Sequence, residues 1–244
     1  MKKQAKQPLL EGQKLILYPL MPDQMQMLRD DSNGLCRDLS LVPDDYAKYA
    51  EWGSLAEEQL LKMNSDPEFM SFHTLWIITE KEEKHMVGYL YFLGRPSETE
   101  AVELSGFIKP VYRRKGYMTE ALNTLRSWAF ANKGVTVMLA HPQKEDKAFH
   151  GLLRKCGFGH WLEHEHEKDP QVEVWCCEKK KRTLVKVGLL LGLGLGVVIG
   201  SSLGISRWIT ALAGAIIGTA VCAVFDAKEN RRRYALLKAE QEKP

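Results

Sequence analysis

The sequence predicts an α/β fold, a mixed sheet with flanking helices, followed by a helical hairpin embedded in a bilayer. Three observations carry this. Strand-like and helix-like patterns alternate along the first 178 residues, and after Pro110 they follow as helix, strand, helix and strand. Beyond Lys186 the chain then enters two uncharged runs, Val187 to Ser206 and Trp208 to Phe225, with Arg207 alone between them.

Along the body, "KLILYPL" reads as a strand and "MPDQMQMLRDD" as a helix with apolar Met25, Met27 and Leu28. "PDDYAKYAEWGSLAEEQLLKM" reads as helical with a break near Gly53. "TLWIITEK" and "HMVGYLYFLG" are β-rich runs joined by the polar turn "EKEEKH", a hairpin signal, and "AVELSGFI" is a further strand ended by Pro110. The pattern then switches: Met118, Leu122, Leu125 and Ala129 recur at helical spacing, with Trp128 beside them and Gly134 placed to stop the helix. "VTVMLAH" is a strand, "EDKAFHGLLRKCGF" a helix stopped by Gly157, and "QVEVWCCE" a last strand.

Each uncharged run of the tail is near the minimum for crossing a bilayer, roughly 18 to 20 residues. Basic residues flank both outer ends, Lys179 to Arg182 before and Lys228 with Arg231 to Arg233 after, so the positive-inside rule places both ends in the cytoplasm. The expected division is a flexible N-terminus (1–13), a globular domain (14–178), a basic juxtamembrane linker (179–186), a transmembrane hairpin (187–225) and a charged cytoplasmic tail (226–244). Gly188, Gly192, Gly196, Gly200 and Gly204 form one stripe, answered by Gly214 and Gly218 in the second run. Such a stripe lets a second backbone approach closely. It serves either to close the hairpin on itself or to join copies into a homo-oligomer. Arg207 is placed to snorkel to the far headgroups and Lys186 to the near ones.

Charge follows the same division. Met1 to Glu178 carries 22 Lys and Arg against 27 Asp and Glu, whereas Lys179 to Pro244 carries 12 against 4. A nucleic-acid binder would place its basic surface on the folded domain, so this distribution argues against one and for a tail that meets a negative surface. The five cysteines, Cys36, Cys156, Cys176, Cys177 and Cys222, show no C-x-x-C spacing and fit a reducing compartment. "MKKQAKQPLLEGQ" has no apolar core behind its positive charge and predicts no secretory signal.

One turn stands out. "RRKGY", Arg113 to Tyr117, lies between a strand end and a helix N-terminus, where unpaired N–H groups and the helix dipole favour an anion. Gly116 leaves room for a close ligand, and Arg113, Arg114 and Lys115 add full charges. The turn suits phosphate, yet it is neither a Walker loop nor a dinucleotide fingerprint.

On these residues the chain resembles the GNAT superfamily of acetyl-CoA-dependent N-acetyltransferases, in particular the group acting on ribosomal-protein N-termini. The superfamily's loop is [QR]-x-x-G-x-[GA]; Arg113 and Gly116 match its first and fourth positions, and Met118 departs at the sixth. In the longer pattern "PVYRRKGYMTEAL", Pro110, Lys115, Gly116, Tyr117, Thr119, Glu120 and Ala121 also match. "KLILYPLMPDQ" is similar to the group's entry strand, and "LLRKCGF" to its closing L-x-x-K-x-G-F. Asp146 and Phe149 depart where asparagine and serine are usual. The resemblance spans roughly Lys14 to Glu178 and implies a mixed, mostly antiparallel sheet.

It also implies a site. Backbone at Phe107, Ile108 and Lys109 would pair with pantetheine. Arg113, Arg114, Lys115, Gly116, Tyr117, Met118 and Thr119 would hold the diphosphate of acetyl-CoA, and Asp146 would also contact the cofactor. Glu103, on the strand before the loop, matches a position where related enzymes carry a carboxylate and is the expected general base. No general acid stands out: Leu153 holds the place where many relatives have a tyrosine, leaving Tyr112, His150 and solvent.

The expected acceptor is an amine, such as a basic peptide, a protein N-terminus, a lysine or a small amine, which suits the acidic body. Tyr46, Tyr49, Trp52 and His73 are placed to shape its access. The reading is thus a membrane-anchored N-acetyltransferase facing the cytoplasm. Its rivals are a non-catalytic membrane-tethered CoA-binding or interaction module and a hairpin that is itself the active, pore-like part. "HWLEHEHEKD" reads as a polar turn, since His160, His164 and His166 without nearby cysteine are too few for structural zinc. Cys176 and Cys177 read as strand residues on opposite faces, beside lysines where acylation would be accessible.

Overall fold

The computed structural model describes residues 9–43, 51–132, 134–165, 169–179, 184–204 and 206–241. Tyr46, Tyr49, His166 and the lysines at 180 and 181 lie outside the described residues, as do residues 1–8 of the expected N-terminus. Contacts divide the chain into two units, Met1–Lys179 and Lys180–Pro244.

In the first unit the described strands are β1 (Leu10–Glu11), β2 (Leu15–Pro19), β3 (Leu75–Glu80), β4 (Met86–Phe92), β5 (Ala101–Ile108), β6 (Val137–Ala140), β7 (Gly159–Glu165) and β8 (Glu173–Glu178). The helices are α1 (Pro22–Asp30), α2 (Ser32–Asp38), α3 (Glu51–Ser65), α4 (Tyr117–Ala131) and α5 (Lys147–Lys155). The strands form one sheet in the order β1-β2-β3-β4-β5-β6-β8-β7. Every neighbouring pair is antiparallel except β5 and β6, so the mixed, mostly antiparallel sheet is as expected.

Alternation along the strands assigns each side chain to one of two cores. On one face Leu15, Leu17, Ile78, Val87, Val102, Leu104 and Ile108 pack under Ala121, Leu122, Leu125 and Ala129 of α4 and Leu153 of α5. On the other, Leu75, Ile77, Met86 and Tyr89 meet Met25 and Leu28 of α1, Leu35 of α2 and Trp52, Ala56, Leu60 and Met63 of α3. The single parallel pairing decides where a site can form. It covers Ala101–Glu103 against Val137–Leu139, whereas β5 stays paired with β4 through Ile108. Past Glu103 the sheet opens as a wedge between β5 and β6.

Three local expectations are corrected. Gly53 does not break α3 but lies inside it, where a Cβ would make only an ordinary contact, 4.0 Å from the Arg29 Cγ of α1. "HWLEHEHEKD" is no turn over its first part, because Gly159–Glu165 is strand β7 paired with β8. Leu10–Glu11 add a short edge strand inside the segment expected to be flexible. Cys176 is half-buried and Cys177 buried, on opposite faces of β8 as expected.

The second unit holds α6 (Leu184–Leu203) and α7 (Arg207–Gln241). Gly188, Gly192, Gly196 and Gly200 all face α7: a Cβ on the first three would collide with the backbone carbonyls of Gly218, Gly214 and Thr210 respectively. Gly204 leaves the stripe, turning the chain between the helices at φ +66. α7 runs unbroken past Phe225 through the charged segment, which is therefore a continuation of the second helix and not a separate one. Among the described residues one segment, Trp208–Lys228, has the length and composition to cross a membrane, and the apolar helix Val187–Leu203 is shorter.

Candidate active site

β5 delivers the chain to the site. Lys109 N–H donates to the Val87 carbonyl at 2.9 Å, so the odd-numbered residues of β5 turn their backbone groups toward β4. Gly106 and Ile108 consequently turn theirs toward the wedge. Of the three backbone positions expected to meet pantetheine, Ile108 lines the cavity described below; Phe107 and Lys109 carry ladder bonds to β4. Lys109 is buried, with its amine 5.6 Å from the Trp52 ring centroid, and Trp52 meets Tyr89 (5.1 Å) and Phe107 (6.2 Å) edge-on.

After Ile108 a short 3-10 turn, Pro110–Tyr112, leads into the basic loop. Arg114 (φ 62) and Gly116 (φ 85) are both left-handed, a backbone course that aims successive N–H groups into one concavity. Gly116 is the N-cap of α4 and supplies no side-chain acceptor to that end. The first hydrogen bond back to the turn is Glu120 N–H to the Gly116 carbonyl, so the amides of Tyr117, Met118 and Thr119 open the helix without an acceptor one turn back. They face a cavity of about 690 Å3 between the α4 start and α5.

The cavity walls are basic. Arg113, Arg114, Lys147 and Lys155 line it, against one acid, Asp146. Asp146 is the N-cap of α5, its Oδ1 accepting the Phe149 N–H at 2.9 Å, which occupies the carboxylate at the helix start. Arg113 Nε donates to the Ile108 carbonyl at 3.1 Å and its guanidinium lies 5.5 Å from the Phe107 ring, pinning the loop to the strand end. Lys115 lies over the Tyr112 ring at 5.3 Å and is absent from the cavity lining. The Tyr117 hydroxyl donates to Glu80, whose carboxylate, together with burial, pushes the phenol up to about 12. Met118 lines the cavity while packing partly on the core, so the departure at the loop's sixth position is accommodated.

These groups fit a long anionic ligand: a positive, uncapped helix start, cations on facing walls and an open strand edge beside them. A Cβ at Gly116 would meet nothing within 4 Å, so that position borders open space.

Glu103 sits at the apex of the wedge, as the last residue of β5 paired with β6. Its side chain points to the same side as Ser105 and Phe107, opposite α4. Its Oε1 is 2.6 Å from the Nδ1 of His141, a partner that sequence reasoning missed. The parity was legible, since Leu139 pairs with Glu103 and His141 follows two residues on, but only once β5 and β6 are known to be parallel neighbours. Lys147, Phe149, Leu152 and Lys155 of α5 were likewise not anticipated as walls.

Among the acid candidates, Tyr112 lines the cavity. His150 does not. It is buried against the Trp175 ring (5.2 Å), which His160 also stacks on (5.5 Å), with the two Nε2 atoms 3.5 and 3.6 Å from Glu173. Burial alone would raise the Glu173 carboxyl; the Trp175 N–H bond and the His160, His150 and Lys147 charges outweigh it and hold it below the usual range. His73 is buried and lies 3.3 Å from Asp66. Among the described residues no group of three or more His, Cys, Asp or Glu side chains is arranged to hold a metal ion.

The family model of the acetyltransferase (GNAT) domain matches residues 26–159. The uncharacterized N-acetyltransferase YjdG of Bacillus subtilis (strain 168) is 34% identical over 101 residues, 41% of this chain and 58% of its own length. The chain thus spans a little over half of that relative. Two solved structures share the fold with a TM-score of 0.50. A ribosomal-protein-S5-alanine acetyltransferase from Vibrio fischeri does so at 12% identity, over 72% of this chain and 98% of its own. RimL, a ribosomal L7/L12 alpha-N-protein acetyltransferase in complex with coenzyme A, does so at 12% identity, over 70% and 98%.

Proposed function

The chain belongs to the GNAT family of acetyltransferases, enzymes whose donor is acetyl-CoA, and from that premise we propose that it is an N-acetyltransferase acting on an amine at a membrane surface. The observation that carries the reading is the start of α4: an uncapped helix N-terminus, entered through two left-handed residues, facing a cavity with basic walls and adjoining the open edge of β5.

Acetyl-CoA supplies an activated acyl group when bound. The chain's own part is to hold and orient it and to manage protons. The amides of Tyr117, Met118 and Thr119 with Arg113 and Arg114 bind the diphosphate, where dipole and full charges add. Lys147 and Lys155 extend the positive wall along α5. The wedge-facing backbone of Gly106 and Ile108 offers strand-like hydrogen bonds to the pantetheine amides. An attacking amine must be neutral, and Glu103 takes its proton, directly or through one water. Tyr112, which lines the same cavity, is the candidate proton donor to the departing thiolate.

The acceptor enters from the α1–α3 side, where Glu103 points and where Trp52, Tyr89 and Phe107 form an aromatic wall. The acidic body, with 27 acids against 22 bases, favours a basic peptide, a protein N-terminus, a lysine or a small amine. Anchorage is supported by the outward apolar surface of the second unit: Trp208, Ile209, Leu212, Ile216, Ile217, Val224 and Phe225 are all exposed. Basic residues flanking the two apolar runs support a cytoplasmic side for the termini and the catalytic domain.

The test is thermal unfolding with and without acetyl-CoA, followed by transfer assays on a panel of amine-bearing peptides and polyamines. Stabilisation by acetyl-CoA that Gly116→Trp abolishes, with transfer that Glu103→Gln abolishes, supports the enzyme. Stabilisation without transfer leaves a CoA-binding module. No stabilisation at saturating acetyl-CoA removes both.

A further inference from the structure

We propose that His141 is a positioning residue for the proposed base: its Nδ1–H holds one oxygen of Glu103 so that the other is presented to the acceptor amine. The inference rests on the assignment of Glu103 above.

The geometry is specific to the apex of the wedge. Glu103 pairs with Leu139 as the last rung of the parallel ladder, and His141 follows on the same strand face, just where the sheet opens. Nδ1 and Oε1 are 2.6 Å apart, and the two side chains are 15% and 33% exposed. An ionised carboxylate only accepts hydrogen bonds, so Nδ1 carries the hydrogen in that state. A glutamate on a strand has three rotatable bonds, and an unheld carboxylate at the sheet surface samples several rotamers. One hydrogen bond from the His141 ring, one residue past the end of β6, selects one of them and leaves Oε2 as the acceptor. Partial exclusion from water strengthens the bond and lowers the reorganisation needed when the proton arrives. After that transfer the same N–H continues to steer the carboxyl group, so His141 touches neither substrate nor reacting atoms.

The experiment uses the full chain and measures thiol release from acetyl-CoA, with the best acceptor of the peptide and polyamine panel and also with water alone. His141→Phe keeps an aromatic ring and removes the donor; His141→Asn restores an N–H near the Nδ1 position. We expect His141→Phe to lower kcat roughly 10- to 100-fold with the KM for acetyl-CoA unchanged, and His141→Asn to recover most of it. In a Glu103→Gln background, His141→Phe should have no further effect, because the group it orients is gone. If Glu103→Gln collapses turnover while His141→Phe keeps wild-type kcat, the positioning role is refuted and the base stands. If Glu103→Gln keeps wild-type kcat, the assignment of the base fails and this inference with it. Should His141→Phe unfold, His141→Ala takes its place as the donor-free variant: folded with lowered kcat that His141→Asn recovers supports the role, and folded with wild-type kcat refutes it.

Discussion

Glu120 in the first turn of α4 accepts hydrogen bonds through Oε1 from two backbone amides at the start of β2, Lys14 at 2.7 Å and Leu15 at 3.1 Å. A residue that matches the family's loop pattern thus serves to lash the cavity-facing helix end to the strand beside it. Gly12 is part of the arrangement, since a Cβ there would strike the same carboxylate. Glu120→Ala leaves two amides without their acceptor, one of them part-buried, and should cost about 1–2 kcal/mol. Glu120→Gln, which keeps an acceptor oxygen, should cost less. Urea unfolding of the globular unit's signal, with an unchanged slope and a lowered midpoint for Ala, is the check.

Gly116 separates the cost of conformation from the cost of obstruction. Its φ of 85 strains any residue with a Cβ, yet a Cβ would meet no atom within 4 Å. Gly116→Ala should therefore destabilise by about 1 kcal/mol through backbone strain alone. That is a fall of roughly 2–4 °C in Tm for a domain of this size. Gly116→Trp carries the same backbone strain at its Cβ and puts an indole at the cavity wall, so its Tm should fall at least as far as that of Gly116→Ala. The two should differ in ligand response: acetyl-CoA raises the Tm of the alanine variant and leaves the tryptophan variant unmoved. Calorimetric scans with and without acetyl-CoA read both effects.

Tyr117 gives a pH-dependent signature of the same helix start. Its hydroxyl donates to Glu80, and that bond, with burial, pushes the phenol from 10.0 up to about 12. The folded state thus holds the proton more tightly than the unfolded chain. The stabilisation is complete below pH 10 and is lost as pH rises through about 12. Unfolding free energy should fall more steeply across that window in the wild type than in Tyr117→Phe, and the two curves should converge at its upper end. Denaturant titrations at a series of alkaline pH values, with ultraviolet detection of tyrosinate, measure this directly.

Local pattern made β5 legible to the residue: alternating side chains, a terminating proline and a polar approach specify Ala101–Ile108 without help from the rest of the fold. β7 was hidden because "HWLEHE" holds only acids and a histidine in its last three positions and so carries too little apolar alternation; its pairing with β8 and the His160 stack on Trp175 are what make it a strand. Gly53 reads as a break because helix propensity penalises glycine, yet α3 runs through it, and a Cβ there would meet only the Arg29 Cγ at an ordinary 4.0 Å. The site divides along the same line. Arg113, Gly116 and Thr119 lie within one turn of each other in sequence and could be read as a unit. The His141–Glu103 bond joins residues 38 positions apart and exists only through the parallel pairing of β5 with β6.

The glycines of the second unit allow a sharp internal control. A Cβ on Gly196 would collide with the Thr210 carbonyl of α7, whereas one on Gly194, two residues earlier on the same helix, would meet nothing within 4 Å. Helix propensity treats the two positions alike, so any difference between their leucine variants reports the α6–α7 contact and not the helix itself. In lipid vesicles, spin labels on cysteines replacing Leu191 and Ile217, both exposed, in an otherwise cysteine-free chain report the interhelical distance. Gly194→Leu should leave that distance unchanged and Gly196→Leu should lengthen and broaden it. Diluting labelled protein with unlabelled protein separates the two uses of the stripe: a distance that persists on dilution belongs to one chain closing on itself, and one that fades belongs to neighbouring copies. Because the glycine face of α6 is already filled by α7 backbone, the distance should persist.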